Sequence, residues 1–168
     1  MFERNEYVFH ESGGICRIID IQTAPLEGMP ADRLYYIMKP IHDANSVIYL
    51  PVDCDSIFVR RLLCRAEAEE LFDRIPFVLA IEENNAKLLR AKYTEAMNTH
   101  DPLDWIRVIK TAYLRAEAQN FRTQRLSETE RSFAEHAKRN LHSELAIALG
   151  LEERDMEEYI INHVKNMA

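Results

Sequence analysis

The spacing of apolar residues changes once along the chain, between Leu62 and Cys64. Before that point they fall in short β-branched and aromatic runs, punctuated by Gly, Pro, Asp and Asn. After it they recur at intervals of three and four. A period of two builds strands and a period of 3.6 builds helices. One switch between them predicts an α+β protein: a small β module followed by an all-helical part.

The β module is announced by Gly13-Gly14, which holds half of the chain's four glycines. Glycine tolerates positive φ and close backbone approach, so the pair reads as a tight turn between two strands. The predicted strands are Tyr7–His10, Ile15–Ile21, Leu34–Pro40, Val47–Val52 and Val59–Leu62. Pro25, Gly28 and Pro30 mark a loop over Thr23–Arg33. Asp43, Asn45 and Ser46 suit a hairpin turn between the third and fourth strands. Five short strands in so few residues predict a strongly bent sheet or barrel.

The helical part opens with a linking helix, Arg65–Ile75, with Leu71 and Phe72 inward and Pro76 as its stop. A second helix is predicted over Glu82–Met97, carrying Leu88, Leu89, Tyr93 and Ala96. Asp101-Pro102 starts a third, since Asp caps free N–H groups and Pro suits the first turn. Its expected buried residues are Leu103, Ile106, Ile109 or Ala112, and Tyr113. Ser127-Glu128-Thr129-Glu130 has the form of a capping box. The helix behind it carries Phe133, Ala137, Leu141 and Leu145, with Gly150 as its stop. A last helix spans Glu152–Val164. The expected division is 1–62 as a β module, 63–81 as linking helix and linker, and 82–168 as a helical domain.

Charge narrows the functional classes. The net charge is −7, with 8 basic against 13 acidic residues in 1–77, 11 against 10 in 78–150, and 2 against 5 in 151–168. Only the middle of the helical part escapes acidic dominance. Local basic patches there would bind phosphate in a salt-sensitive way. No apolar run approaches the ~20 residues of a membrane span. The first residues lack the basic start and apolar core of a signal peptide. Three cysteines without a CxxC pair fit reduced thiols, with Cys16 and Cys54 as buried strand residues, and a cytoplasmic location is expected.

The motifs of catalysis are missing. His136 and His142 stand six apart on one helix, not at the i, i+4 spacing of a zinc motif. The chain has no nucleophile elbow or phosphate loop, and its adjacent carboxylates point different ways. No catalytic residue, metal ligand or cofactor is assigned, and an enzyme is the remote reading.

Two surfaces remain. Basic residues cluster in the helical part: Lys87, Arg90 and Lys92, then Arg107 and Lys110, then Arg122, Arg125 and Arg131, then Lys138 and Arg139. They form either a phosphate-contacting face or an ordinary solvated face whose cations pair with neighbouring acids. The other surface is the ribbon of Tyr35–Lys39 and Val47–Val52. It is either an exposed edge that accepts a partner strand or an internal hairpin.

Read together, the two halves resemble the CarD family of bacterial transcription regulators. The first module of that family is shared with the polymerase-interacting domain of transcription-repair coupling factor. The resembling residues run in order: Met1-Phe2 and Tyr7-Val8, then Gly14-Ile15-Cys16-Arg17-Ile18-Ile19-Asp20-Ile21. Tyr35-Tyr36-Ile37-Met38-Lys39-Pro40 and Ile48-Tyr49-Leu50-Pro51-Val52 follow. Asp101-Pro102, Ile109–Arg115, Leu126-Ser127 with Glu130-Arg131, and Glu144–Leu149 complete the series.

The resemblance implies a Tudor-like β module that pairs strand to strand with the RNA polymerase β subunit. The residues it points to are Tyr36, Met38, Val47, Ile48, Tyr49, Leu50 and Pro51. It also implies a helical domain that meets promoter DNA at the upstream edge of the transcription bubble and acts on the open complex. The basic residues expected to face DNA are Lys87, Arg90, Lys92, Lys110, Arg131 and Lys138. A monomer with no membrane partner is expected. Two departures stand out. The family places a Trp early in the first helix of its helical domain, where this chain has Glu82, Glu83, Asn84 and Asn85. The single tryptophan here, Trp105, lies one helix later, at a core or interface position. Tyr49 stands where some members carry Arg. The missing Trp favours an alternative reading, an adaptor that binds polymerase or another protein without touching DNA.

Overall fold

A computed structural model describes residues 1–120 and 126–167. The chain divides into two compact units, Met1–Leu62 and Leu63–Ala168.

The first unit is a curled, Tudor-like antiparallel half-barrel of five strands. They are β1 (Tyr7–His10), β2 (Gly14–Thr23), β3 (Leu34–Pro40), β4 (Ile48–Pro51) and β5 (Val59–Arg61), in the order β4-β3-β2-β1-β5. Its core is one face of that sheet: Val8, Cys16, Ile18, Tyr36, Met38 and Leu50. Burial pushes the Cys16 thiol up to about 11. Simple alternation from Cys16 and Ile18 would next turn Asp20 inward. A bulge between Ile18 and Asp20 prevents this. The extra residue, Ile19, resets the phase. Ile21 then packs on the core, while Asp20 pairs with Arg4.

The two glycines at the first turn do different work. Gly14 has φ +64°, which a side chain resists. At Gly13 the problem is space, because a Cβ would sit 2.5 Å from Ile48 Cδ1 and 3.0 Å from Cys16 Sγ. The turn is held by His10, whose Nδ1 accepts the N–H groups of Ser12 (3.2 Å) and Gly13 (3.1 Å). One expectation fails here: Cys54 is not a strand residue. It lies half-buried in the β4–β5 connection, where its N–H donates to Pro51 O and its thiol meets the Ser56 hydroxyl.

The second unit contains α1 (Arg65–Arg74), α2 (Ala86–Asn98), α3 (Pro102–Asn120), α4 (Glu128–Leu149) and α5 (Met156–Met167). α4 touches each of the other four helices. Its start is the capping box expected from sequence: Ser127 Oγ accepts Glu130 N–H while the Glu130 carboxylate accepts Ser127 N–H. Its end is Gly150 at φ +69°. Ala137, Leu141 and Leu145 form its buried stripe. α1 packs Phe72 against Tyr159 and His163 of α5, with centroids 5.7 and 4.9 Å apart. Burying side chains of this size contributes about 1.5–3 kcal/mol each.

Two helix expectations are corrected. α2 begins at Ala86 rather than Glu82, because Asn85 caps it by accepting the N–H groups of Lys87 (3.0 Å) and Leu88 (3.1 Å). Glu82–Asn85 instead belong to an extended strap that follows a 3-10 turn at Ile75–Phe77. Tyr113 is not buried in α3. The buried stripe is Trp105, Val108 and Ala112, and Tyr113 lies about 80° round the helix from Trp105. Its hydroxyl donates to Glu117 at 2.7 Å in solvent.

Candidate functional sites: an open sheet edge and a basic helix face

Among the described residues β4 has a neighbour on one side only, β3. Val52 N–H donates to Leu34 O at 2.9 Å, opposite it in the ladder. Bonding alternates along an antiparallel pair, so Tyr49 turns its N–H and C=O to the open side. Pro51 has no N–H to turn that way, which suits proline to an edge, and its C=O already accepts Cys54 N–H. The β3–β4 turn is tied down by Asp43, whose carboxylate accepts the Ser46 hydroxyl and Asn45 N–H. The Ser46 hydroxyl, more than the Asn45 N–H, holds that carboxyl below its usual range.

The seven residues expected to meet polymerase divide by face. Tyr36, Met38 and Leu50 are core side chains, buried at 3%, 0% and 3% exposure. They stiffen the edge and are not themselves surface. Ile48, Tyr49 and Pro51 are half-buried and Val47 is exposed. Beside them the half-barrel is not fully closed. A hollow of about 260 Å³ lies among Phe2, Tyr36, Leu50, Val52, Cys54 and Val59. Phe2 N–H donates to the Tyr36 hydroxyl at 3.0 Å, with the rings 5.6 Å apart. Hydrogen bonds from Ser56 hold the Cys54 thiol below its usual range. Sequence reasoning missed this hollow, because residues 2, 36, 52 and 59 meet only through the curl of the sheet.

The six basic candidates of the helical unit also divide. Lys87 and Arg90 stand on one exposed face of α2, flanking Ala91 and Thr94. Neither side chain has a hydrogen-bond or ion-pair partner among the described residues. Lys92 is taken by Glu83 (3.2 Å) and by Glu82 O (3.3 Å). Lys110 donates to Pro76 O at 3.2 Å. Arg131 pairs with Glu128 at 3.4 Å and Lys138 with Glu157 at 3.2 Å. Exposed pairs of this kind contribute only about 0–1 kcal/mol, so a phosphate can compete for them. Arg122 and Arg125 lie outside the described residues.

Around this face the structure is firmly held. Arg115 bonds the Glu130 carboxylate at 2.6 Å and reaches Glu83 O at 3.4 Å. Burial pushes the Glu130 carboxyl up, but hydrogen bonds from Arg115 and Ser127 outweigh it and bring it below the usual range. Ile81 N–H donates to Thr111 Oγ1 at 2.8 Å and fastens the strap to α3. That strap and the 3-10 turn before it leave Phe77 and Leu79 80% exposed each. Sequence reasoning missed them as well, since nothing local separates an exposed Phe from a buried one. Trp105 is fully buried, so it is a core residue. Among the described residues no three metal-ligating side chains come together, and no helix is long and apolar enough to cross a membrane.

Comparison with known proteins bears on both units. Residues 2–63 match the model of the CarD-like/TRCF RID domain, and residues 80–161 match the model of the CarD C-terminal domain. The chain belongs to the CarD-like family. A search of curated proteins found no match. Proteins of the CarD-like family are non-enzymatic factors that interact with RNA polymerase, so this chain is transcription-associated. In this CarD-like chain the first matched region coincides with the half-barrel that carries the open β4 edge.

Proposed function

We propose that this CarD-like protein binds the β subunit of bacterial RNA polymerase by adding a polymerase strand to β4. From there it modulates initiation by acting on the open promoter complex. The observation that carries the reading is the unpaired edge of β4 within the region that matches the polymerase-interacting domain. Backbone hydrogen bonds along such an edge supply affinity and alternate side chains supply specificity. The helical unit then meets promoter DNA with Lys87 and Arg90 foremost, because among the described residues these are the candidate cations whose side chains no carboxylate or carbonyl already holds. Tyr49→Pro removes the outward N–H without touching the β3–β4 ladder. Retention of the wild-type protein on immobilised β subunit, lost by at least tenfold in Tyr49→Pro, is the expected result. Absence of wild-type retention sinks the reading.

The adaptor reading has its own support. Lys92, Arg131 and Lys138 are each matched by a carboxylate, and the lone Trp is interior. Open-complex lifetime on a promoter separates the two. A wild-type protein that binds polymerase and leaves that lifetime unchanged is an adaptor.

A further inference from the structure

We propose that the hollow beside β4 is a socket for one large apolar side chain of the polymerase segment that pairs with β4. That segment becomes a sixth strand and completes the half-barrel core. The inference rests on the reading of β4 as the polymerase-binding edge, and it names what determines specificity there.

Register supports it. Ile48, Leu50 and Val52 all pack on the core face of the sheet. A strand added along β4 places a residue directly opposite Leu50, its Cβ roughly 4.5–5.5 Å from that of Leu50. That residue points to the same face as Leu50, and Leu50 and Val52 form one wall of the hollow. Size and chemistry support it too. Small-molecule pockets run about 300–1,000 Å³, whereas this one is about 260 Å³, room for a Leu, Met or Phe side chain. No charged side chain lines it. Two polar side-chain groups of its lining are already engaged, the Tyr36 hydroxyl by Phe2 N–H and the Cys54 thiol by Ser56. Exposed Met1 and half-buried Pro51 also border it and leave part of its rim polar, while the side chains of Phe2, Leu50, Val52, Ile57 and Val59 give an apolar group its walls.

Two measurements on the full-length chain test this. Ile57 also lines the hollow, and Val52→Trp and Ile57→Trp each fill it from a different wall. Both are expected to weaken binding to RNA polymerase core enzyme about tenfold or more, with unchanged far-ultraviolet circular dichroism. In the wild-type protein, saturating core enzyme is expected to slow iodoacetamide labelling of Cys54 at least tenfold while leaving the exposed Cys64 unaffected. Should the wild type bind core enzyme with Cys54 still labelled at the free rate, the socket is overturned and the edge reading stands. The same follows if both tryptophan variants bind as tightly as wild type. Failure of the wild type to bind core enzyme overturns the edge reading and the socket with it. Self-association of the wild type that either filling variant abolishes makes the occupant a second copy of this chain, and also overturns the proposal.

Discussion

The two units keep their recognition chemistry in opposite places. In the half-barrel the side chains along the candidate edge are half-buried apart from buried Leu50, and what is left open is backbone: the Tyr49 N–H and C=O. In the helical unit the backbone is largely satisfied within helices, and what is left open is side-chain charge, half of the six candidate cations being already shared with acids. A backbone edge accepts any strand of compatible register, and salt hardly affects it. A charged face selects by sign and weakens steeply as salt rises. The comparison predicts salt-resistant binding through the first unit and salt-sensitive binding through the second.

The largest stability effect is expected in the helical unit. Arg115→Met leaves the nearly buried Glu130 carboxylate without its cation. Breaking a buried pair from one side costs about 3–5 kcal/mol, and the partial exposure of Arg115 places this case near 3. Urea unfolding measures it, and Glu130→Gln in the same background should recover part of the loss. A cost below about 1 kcal/mol would show that this pair is no tighter than an ordinary surface pair.

Next in size is DNA binding. Lys87→Glu with Arg90→Glu should weaken promoter affinity by on the order of tenfold at 0.1 M salt. It should also flatten the log–log salt slope by about 2, one for each phosphate that is no longer neutralised. Binding to the polymerase β subunit should not move. An unchanged slope would remove DNA from the helical unit and leave it a scaffold.

Smaller again is Gly14→Ala. At φ +64° the added Cβ costs about 1–2 kcal/mol, read as a lowered thermal midpoint. Gly13→Ala tests something else, since its Cβ meets the tip of Ile48 on β4. Ile48 can turn aside, so this variant should disturb polymerase binding more than it lowers the midpoint.

How much of this was legible in the sequence depended on range. The span of β3 was read to the residue because Pro40 ends it, and Ser127 with Glu130 declared the start of α4. The bulge was illegible, since Ile19 fits the alternation that it breaks. Which β3 residues face the core was illegible too: Tyr35, Tyr36, Ile37 and Met38 are all buried, so no two-residue period survives to sort the faces. Asn85 looked like helix interior because Glu82-Glu83 resemble first-turn acids. The pairing of Lys138 with Glu157 joins residues 19 apart in sequence and exists only once α4 and α5 have packed. The family pattern reached the right fold by order and spacing, and the free cations and the hollow needed coordinates.

The smallest effect is on pH. His10 is 2% exposed, and its Nδ1 accepts two backbone N–H groups, so the ring is neutral and carries its proton on Nε2. Protonation would put a hydrogen where Ser12 and Gly13 already donate. Burial lowers the His10 pKa below 6.5, with Glu11 opposing in part. The unfolded chain therefore binds this proton first as pH falls. The stability from neutral His10 is complete above about 6.5 and is lost as pH drops through the lower folded value. Burial also lowers half-buried His142, so both units lose stability in the same direction. Only His10 couples the loss to a turn that touches Ile48 of β4. His10→Asn keeps a side-chain acceptor near the turn and removes the titration. Between pH 7.5 and 5, polymerase binding by the wild type should fall faster than binding by His10→Asn, at constant salt. Parallel curves for the two proteins would place the acid sensitivity in the helical unit and uncouple the turn from the edge.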